Sequence, residues 1–270
     1  KSVKFDVKGS VTLGFGATLF LLTINRGHSW GWMSPAIIIF GVVSLMSLWL
    51  FIRTERVAEA PLMPLHWLRT PNIILPIAIQ SLINFAYMGG FIVVPQMLER
   101  GLGYSASHVG WLIIARPLTF SITAPLASFF TMRAGERKSG VIGACAVIAS
   151  MLILSSLASG SSDLLVVLGL GLSGIGFGIA APALTALVAN AVDDETIGVA
   201  GAMQQLLSQM GAVLGSTVMI SVHEMTVGST TVVRSYGIAL LFGAGTATAA
   251  ALLASRLTPT DRSAEAMAAN

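Results

Sequence analysis

Eight long stretches of this 270-residue sequence contain no aspartate or glutamate: Gly9–Ile24, Pro35–Ile52, Ile73–Leu98, Val109–Met132, Gly140–Leu157, Leu164–Val192, Ile197–Val222 and Tyr236–Ala254. Only one of them holds a lysine or arginine, Arg116. Charged residues make up 10 % of the chain and hydrophobic ones 54 %, whereas ordinary soluble domains carry roughly 25 % charge. That balance excludes an ordinary soluble fold. Cysteine is nearly absent too. The single Cys145 cannot form an internal disulfide, and with no histidine beside it the thiol reads as a small core residue. No stretch offers two histidine or acidic ligands, so neither a metal centre nor a cofactor is expected. The net charge of +3 is dispersed over the connections, with no basic stripe interleaved with aromatics. Nucleic acid is thereby excluded as a partner.

What is there is length and order. Most of the stretches reach the roughly 17–25 residues that a helix needs to cross a bilayer core. Between them the basic residues sort by side. Lys1, Lys4, Lys8, Arg53, Arg56, Arg69, Arg133, Arg137, Lys138, Arg256 and Arg262 fall on one side, and only Arg26, Arg100 and Arg234 on the other. Basic residues in short loops mark the cytoplasmic face. The expectation is an all-α polytopic protein of the inner membrane, with eight transmembrane helices and both ends cytoplasmic. The chain opens on Lys1, with no initiator methionine and no leader, so it is expected to be part of a longer protein.

The spans divide as two plus six. Residues 1–52 form a helix pair joined by an external turn, Asn25–Ser34, whose Trp30 and Trp32 suit the headgroup layer. Residues 53–72 form a polar linker broken by Pro61, Pro64 and Pro71, read as lying on the cytoplasmic surface. Residues 73–256 carry six spans, and residues 257–270 a cytoplasmic tail. Prolines recur at membrane depth in the six: Pro76, Pro95, Pro117, Pro125 and Pro182. They are tolerated where neighbouring helices satisfy the freed carbonyls. Small residues line two further helices, Gly171, Gly174 and Gly178 on one, Gly201, Ser208, Gly211 and Gly215 on the other. Such stripes let backbones touch, which is how helices associate in lipid. The acidic turn Asp193, Asp194 and Glu195 sits at a helix start, where carboxylates complement the dipole.

Polar side chains inside the spans are the candidate chemistry. Counted from a cap at Ser107, Arg116 lies about 13 Å along its helix. A charge there costs at least ~2.5 kcal/mol on insertion scales unless it snorkels or faces water. We expect a cavity-facing arginine that binds an anionic group or pairs with a carboxylate, with snorkelling as the alternative. Thr119 and Thr123 share its face. Gln80, Asn84 and Tyr87 follow i, i+4, i+7 spacing on the third span, so they point one way. That face either bonds a neighbouring helix or lines a substrate path. Gln205 and Gln209 form a similar pair, read as interhelical. Gly171-Leu-Ser-Gly174 has the shape of a serine nucleophile motif, but His28, His66, His108 and His223 all lie in loops or at span ends. Without a base at matching depth, Ser173 is no nucleophile, and no enzyme is expected.

Two helices, then Glu59-Ala-Pro-Leu-Met-Pro-Leu-His-Trp-Leu-Arg-Thr-Pro-Asn72, then six helices is an order that resembles one family. It is similar to the C-terminal part of the fourteen-helix drug:proton antiporters, the EmrB/QacA-type branch of the major facilitator superfamily. Tyr104-Ser-Ala-Ser-His-Val-Gly110 resembles the start of that family's second C-half helix. Pro125-Leu-Ala-Ser-Phe-Phe-Thr-Met-Arg-Ala-Gly-Glu-Arg-Lys138 resembles its cytoplasmic gating loop, with Arg133, Gly135 and Arg137 kept and Met132 where the pattern has Asp. Gly174-Ile-Gly-Phe-Gly-Ile-Ala-Ala-Pro182 and Gly198–Gly215 resemble its last paired helices. The resemblance implies a central extra pair plus a C-terminal six-helix bundle. It also implies proton-coupled efflux of amphipathic or drug-like compounds, with small-molecule substrates, protons, the lipid bilayer and a missing N-terminal transporter half as partners. The family's proton-binding carboxylates would lie in that absent half. An uptake permease for a small metabolite, or a non-transporting membrane sensor or scaffold, stands as the alternative.

Overall fold

A computed structural model describes residues 7–57 and 64–257. Lys1, Lys4, Pro61, Arg262 and nearly all of the 257–270 tail lie outside the described residues. Within them the elements are helical: α1 Val7–Trp30, α2 Pro35–Glu55, α3 Pro71–Gln96, α4 Ala106–Ile113, α5 Ala115–Ala134, α6 Glu136–Ser155, α7 Asp163–Asn190, α8 Ile197–Val227 and α9 Val232–Ala254. A short 3₁₀ turn, Leu65–Arg69, precedes α3, and a π-turn, Met97–Gly101, follows it. Seven segments are long and apolar enough to cross a membrane: α2, α3 with its π-turn, α4 running into α5, α6, α7, α8 and α9. The other expected span is helix α1, 24 residues long.

α1 continues through most of the stretch read as an external turn and stops at Gly31, whose φ of 85° suits glycine alone. Ser34 then caps α2, its Oγ accepting from Ile37 N at 3.3 Å. The pair is antiparallel and tied by two hydroxyls. Ser44 Oγ donates to the Gly16 carbonyl at 2.9 Å, and Ser47 Oγ to the Thr12 carbonyl at 3.1 Å.

The fourth span differs from its expected continuous helix. It breaks at Ile114, between α4 and α5. Pro117 explains the break, because it has no N–H to offer the Ile113 carbonyl. The cap is Ser105, two residues before the expected Ser107, with Oγ accepting from His108 N at 3.3 Å.

Glycines set how closely the bundle packs. A Cβ on Gly143 of α6 would come within 2.5 Å of the Gly176 carbonyl of α7, and one on Gly176 within 2.6 Å of the Gly143 carbonyl. On α8, Gly211 and Gly215 face the Ser81 and Phe85 carbonyls of α3 so closely that a Cβ would overlap them. On α7, Gly174 lies against Arg116 and Thr119 of α5, and Gly178 against Thr123. Two members of the expected stripes behave differently. A Cβ on Gly171 would meet Thr119 only at an ordinary 3.6 Å, and one on Gly201 would meet nothing within 4 Å. Gly201 is therefore not a packing position.

A buried cluster of Val93, Met97, Val147, Met151, Leu154 and Leu240 fills the centre. Trp67, from the linker read as surface-lying, is buried in a smaller cluster with Ile73, Val188 and Met203. Cys145 corrects the expectation of a core thiol. It is exposed, because α6 turns Gly140, Gly143, Ala144, Val147 and Met151 inward and leaves Cys145 outside.

Gly143→Leu in the intact protein is expected to lower unfolding stability in detergent by about 1–3 kcal/mol, the range for overpacking a tight contact. Gly201→Leu is expected to leave it within about 0.5 kcal/mol, as for changes away from packed positions. Thermal and denaturant melts monitored by tryptophan fluorescence check both.

Candidate polar core and its neighbours

The centre of interest is where α3, α5 and α7 meet. Arg116 follows the break at Ile114 and is 1 % exposed. Its Nε donates to Ser173 Oγ of α7 at 2.7 Å, and its Nη1 to the Tyr87 carbonyl of α3 at 2.9 Å. The guanidinium carbon lies 4.6 Å from the Tyr87 ring centroid and 5.9 Å from that of Phe91, a cation–π arrangement. Room for the group comes from Gly90, where a Cβ would stand 3.1 Å from Nη2. Nη2 itself has no hydrogen-bond partner. Both sequence readings of Arg116 are thereby corrected. It neither snorkels nor faces an open wet cavity, and oxygens of neutral groups meet it in place of a carboxylate. The reason is local: three close helices and a glycine enclose it before water can.

Ser173 takes part in a way the sequence did not suggest. Its hydroxyl hydrogen goes to the Leu170 carbonyl at 2.7 Å, so its oxygen faces Arg116 purely as an acceptor. Aromatic rings extend the assembly. Tyr87 stacks on Phe177 of α7 at 4.5 Å, and Phe120 of α5 lies 5.8 Å from Phe177. Thr119 and Thr123 are part of the α5–α7 contact: Thr119 Oγ1 reaches the Gly171 carbonyl at 3.0 Å, and Thr123 packs on Gly178.

The other two members of the α3 stripe are buried against α8. Asn84 Nδ2 donates to the Ser208 carbonyl and Oγ, both at 3.0 Å, while Asn84 Oδ1 has no partner. Gln80 Oε1 accepts from Gln204 Nε2, which also reaches Thr185 Oγ1 of α7 at 3.2 Å. Of the two readings of this face, bonding to neighbouring helices is the one seen. The expected interhelical pair on α8 is corrected in phase. Gln205 and Gln209 are exposed, and Gln204 with Ser208 makes the bonds. Adjacent glutamines point about 100° apart on a helix, so a one-residue choice moved the prediction off the interface.

At the far end of α5, Gly135 has φ 83° and its N–H returns to the Thr131 carbonyl at 2.8 Å. Thr131 Oγ1 bonds Ser139 Oγ at 3.2 Å, and Ser139 Oγ donates to the Gly135 carbonyl at 2.9 Å. These three bonds tie the turn, and it presents Arg133 and Arg137 exposed. At the opposite end His108 Nε2 lies 2.8 Å from Asp163 Oδ2, clipping α4 to α7, with Tyr104 stacked on His108 at 4.7 Å. Burial and the Asp163 carboxylate push the Tyr104 hydroxyl above its ordinary pKa.

The family profile described as Major Facilitator Superfamily matches residues 77–270. The chain belongs to that superfamily. Superfamily members are transporters, not enzymes. Among its relatives, the Multidrug resistance protein Stp of Mycobacterium tuberculosis is 27 % identical over 81 % of this chain and 41 % of its own length. The Tetracenomycin C resistance and export protein of Streptomyces glaucescens is 27 % identical, covering 80 % and 40 %. The Quinolone resistance protein NorB of Staphylococcus aureus is 27 % identical, covering 90 % and 52 %. The superfamily chain thus spans about half the length, or less, of these relatives.

Ser173→Ala is expected to lower stability by about 1.5–3 kcal/mol, the worth of a hydrogen bond to a charged group. Arg116→Lys should cost at least as much, because an ammonium lacks the planar fork that reaches Ser173 and the Tyr87 carbonyl together. Denaturant melts of the intact protein in detergent measure both. A cysteine at 116, with Cys145 replaced, should resist water-soluble maleimides. At the turn, Gly135→Ala should cost about 1–3 kcal/mol of backbone strain. Faster proteolysis between α5 and α6 would report it.

Proposed function

We propose that the intact protein exports amphipathic, drug-like compounds in exchange for protons, as a secondary transporter of the inner membrane. The observation that carries this reading is superfamily membership, together with relatives named for drug resistance and export over 80–90 % of this chain. On this reading residues 1–52 are the extra central pair of a fourteen-helix member and residues 53–72 its cytoplasmic linker. Residues 73–256 are the C-terminal six-helix bundle, and 257–270 a cytoplasmic tail. Both ends are cytoplasmic, and an N-terminal half completes the transporter.

Phe120 and Phe177, half-buried, would offer aromatic faces to an apolar substrate, with Tyr87 stacked on Phe177 behind them. Arg116 and Asn84 are enclosed and would hold the helices that present those rings. Gln205 and Gln209, exposed on α8, would face the other half, and Arg133 and Arg137 would meet it at the cytoplasmic gate. Protons would bind carboxylates of that half, since the eight apolar stretches here contain none.

Everted vesicles carrying the intact protein should accumulate a fluorescent cationic drug when an acid-inside pH gradient is imposed, and lose it on adding a protonophore. Accumulation that ignores the gradient would sink antiport. Movement in the opposite sense would favour an uptake permease, and no movement of any solute a sensor or scaffold. Residues 1–270 alone should not transport, because alternating access needs two halves rocking about a shared site.

A further inference from the structure

A second polar cluster lies at the end of the bundle where α8 hands over to α9. His223, in the last turns of α8, stacks on Tyr236 of α9, with ring centroids 3.6 Å apart and planes 5° from parallel. Its Nδ1 lies 2.7 Å from Ser235 Oγ. Ser235 Oγ already donates its hydrogen to the Val232 carbonyl at 2.7 Å. Toward the imidazole it is therefore an acceptor, and Nδ1 carries the proton. Neutral His223 is thereby held as one tautomer, and Nε2 is the atom left to take up a second proton.

Arg100 joins this cluster from the π-turn that follows α3. Its guanidinium faces the Tyr236 hydroxyl, which is buried and has no other hydrogen-bond partner among the described residues. Glu224 is the one carboxylate among the described residues that acts on both His223 and Tyr236. Arg234 of α9 lines the cavity beside Arg100. The next residue of the π-turn is seated on α9 as well: a Cβ on Gly101 would stand 3.1 Å from Val233 Cγ2. While His223 is neutral, the groups around Tyr236 set one guanidinium against one carboxylate.

We infer that His223 is a proton-binding site whose occupancy unlatches the π-turn from α9. Uptake at Nε2 makes the ring a second cation beside Tyr236 and leaves Glu224 to serve two. The imidazolium keeps its place, because its stack on the phenol becomes a cation–π contact and Nδ1–H still reaches Ser235. Arg100 has no such hold. It is exposed and sits on a turn, so swinging it into water relieves the like-charge repulsion. The turn then keeps its Gly101–Val233 contact and loses the polar one, which frees the end of α3 to bend. On the proton-driven reading proposed above, this end faces the side from which protons come, and acid there loosens the outer closure. That last step alone rests on the proposed function.

Hydrogen exchange of the intact purified protein in detergent, read by mass spectrometry on both sides of the histidine range, at about pH 5 and about pH 8, tests the latch. Each rate is referred to the intrinsic amide rate at its own pH. The Leu102 N–H of the π-turn bonds the Met97 carbonyl at 3.0 Å. In wild type that turn should be protected roughly tenfold less in acid, the order expected of one added unit charge at close range. His223→Gln, which does not titrate, should show equal protection at both values. His108→Gln, at the same end of the bundle, should keep the wild-type response. Should His223→Gln fail to fold, Arg100→Gln, on the exposed turn, should give low protection at both values. Equal protection of wild type in acid and base would overturn the proposal, as would a response that survives in His223→Gln or Arg100→Gln. Loss of the response in His108→Gln would place the switch at the clip between α4 and α7 and overturn it equally. No substrate or gradient enters the measurement, so its failure leaves antiport standing, and failure of antiport leaves the latch standing.

Discussion

A guanidinium buried without a carboxylate beside it must be held by whatever oxygens the surrounding backbone and hydroxyls can present. That requirement shapes the middle of this bundle. Arg116 needs a serine on α7 whose hydrogen is already committed elsewhere, and a carbonyl on α3 turned toward it. It also needs a glycine at position 90 to leave room for the group. Three helices are thereby fixed at one level. The break at Ile114 and Pro117 flank Arg116 in the chain, where α4 gives way to α5.

Two kinds of adhesion divide the remaining work. Glycines bring backbones to the limit of contact at the α6–α7 and α3–α8 crossings, where the gain is dispersion and the surfaces are smooth. Side-chain amides supply what smooth surfaces lack, a preferred register. Asn84 with Ser208, and Gln80 with Gln204, are such devices. In lipid these bonds have no water competing for them, although each is worth only about 0.6–2 kcal/mol.

Much of this was legible in the residues. Lipid permits no unsatisfied backbone, so apolar length and basic loops led directly to a helical membrane bundle. The face of α3 was also readable, since Gln80, Asn84 and Tyr87 stand out on an otherwise apolar helix. The α8 face was legible in part. Gln204 and Gln205 are neighbours, and the small-residue stripe of Ser208, Gly211 and Gly215 selects Gln204, one turn before Ser208, over Gln205. Cys145 carries no such signal, because a thiol among small apolar residues gives no direction. Arg116 was conspicuous as a charge, but its surroundings were not. Ser173 and Gly90 lie far from it in sequence and carry no spacing signal that links them.

The register devices on α3 and α8 have a mechanical consequence. They sit about one helical turn apart on the same pair, like two teeth of a rack. Sliding one helix by a single residue, about 1.5 Å, would disengage both teeth at once and strand three buried amides, Gln80, Asn84 and Gln204. Small slips are therefore as unfavourable as large ones, and the pair behaves as one stiff plank. Bending is therefore left to places off this seam, such as the π-turn that ends α3.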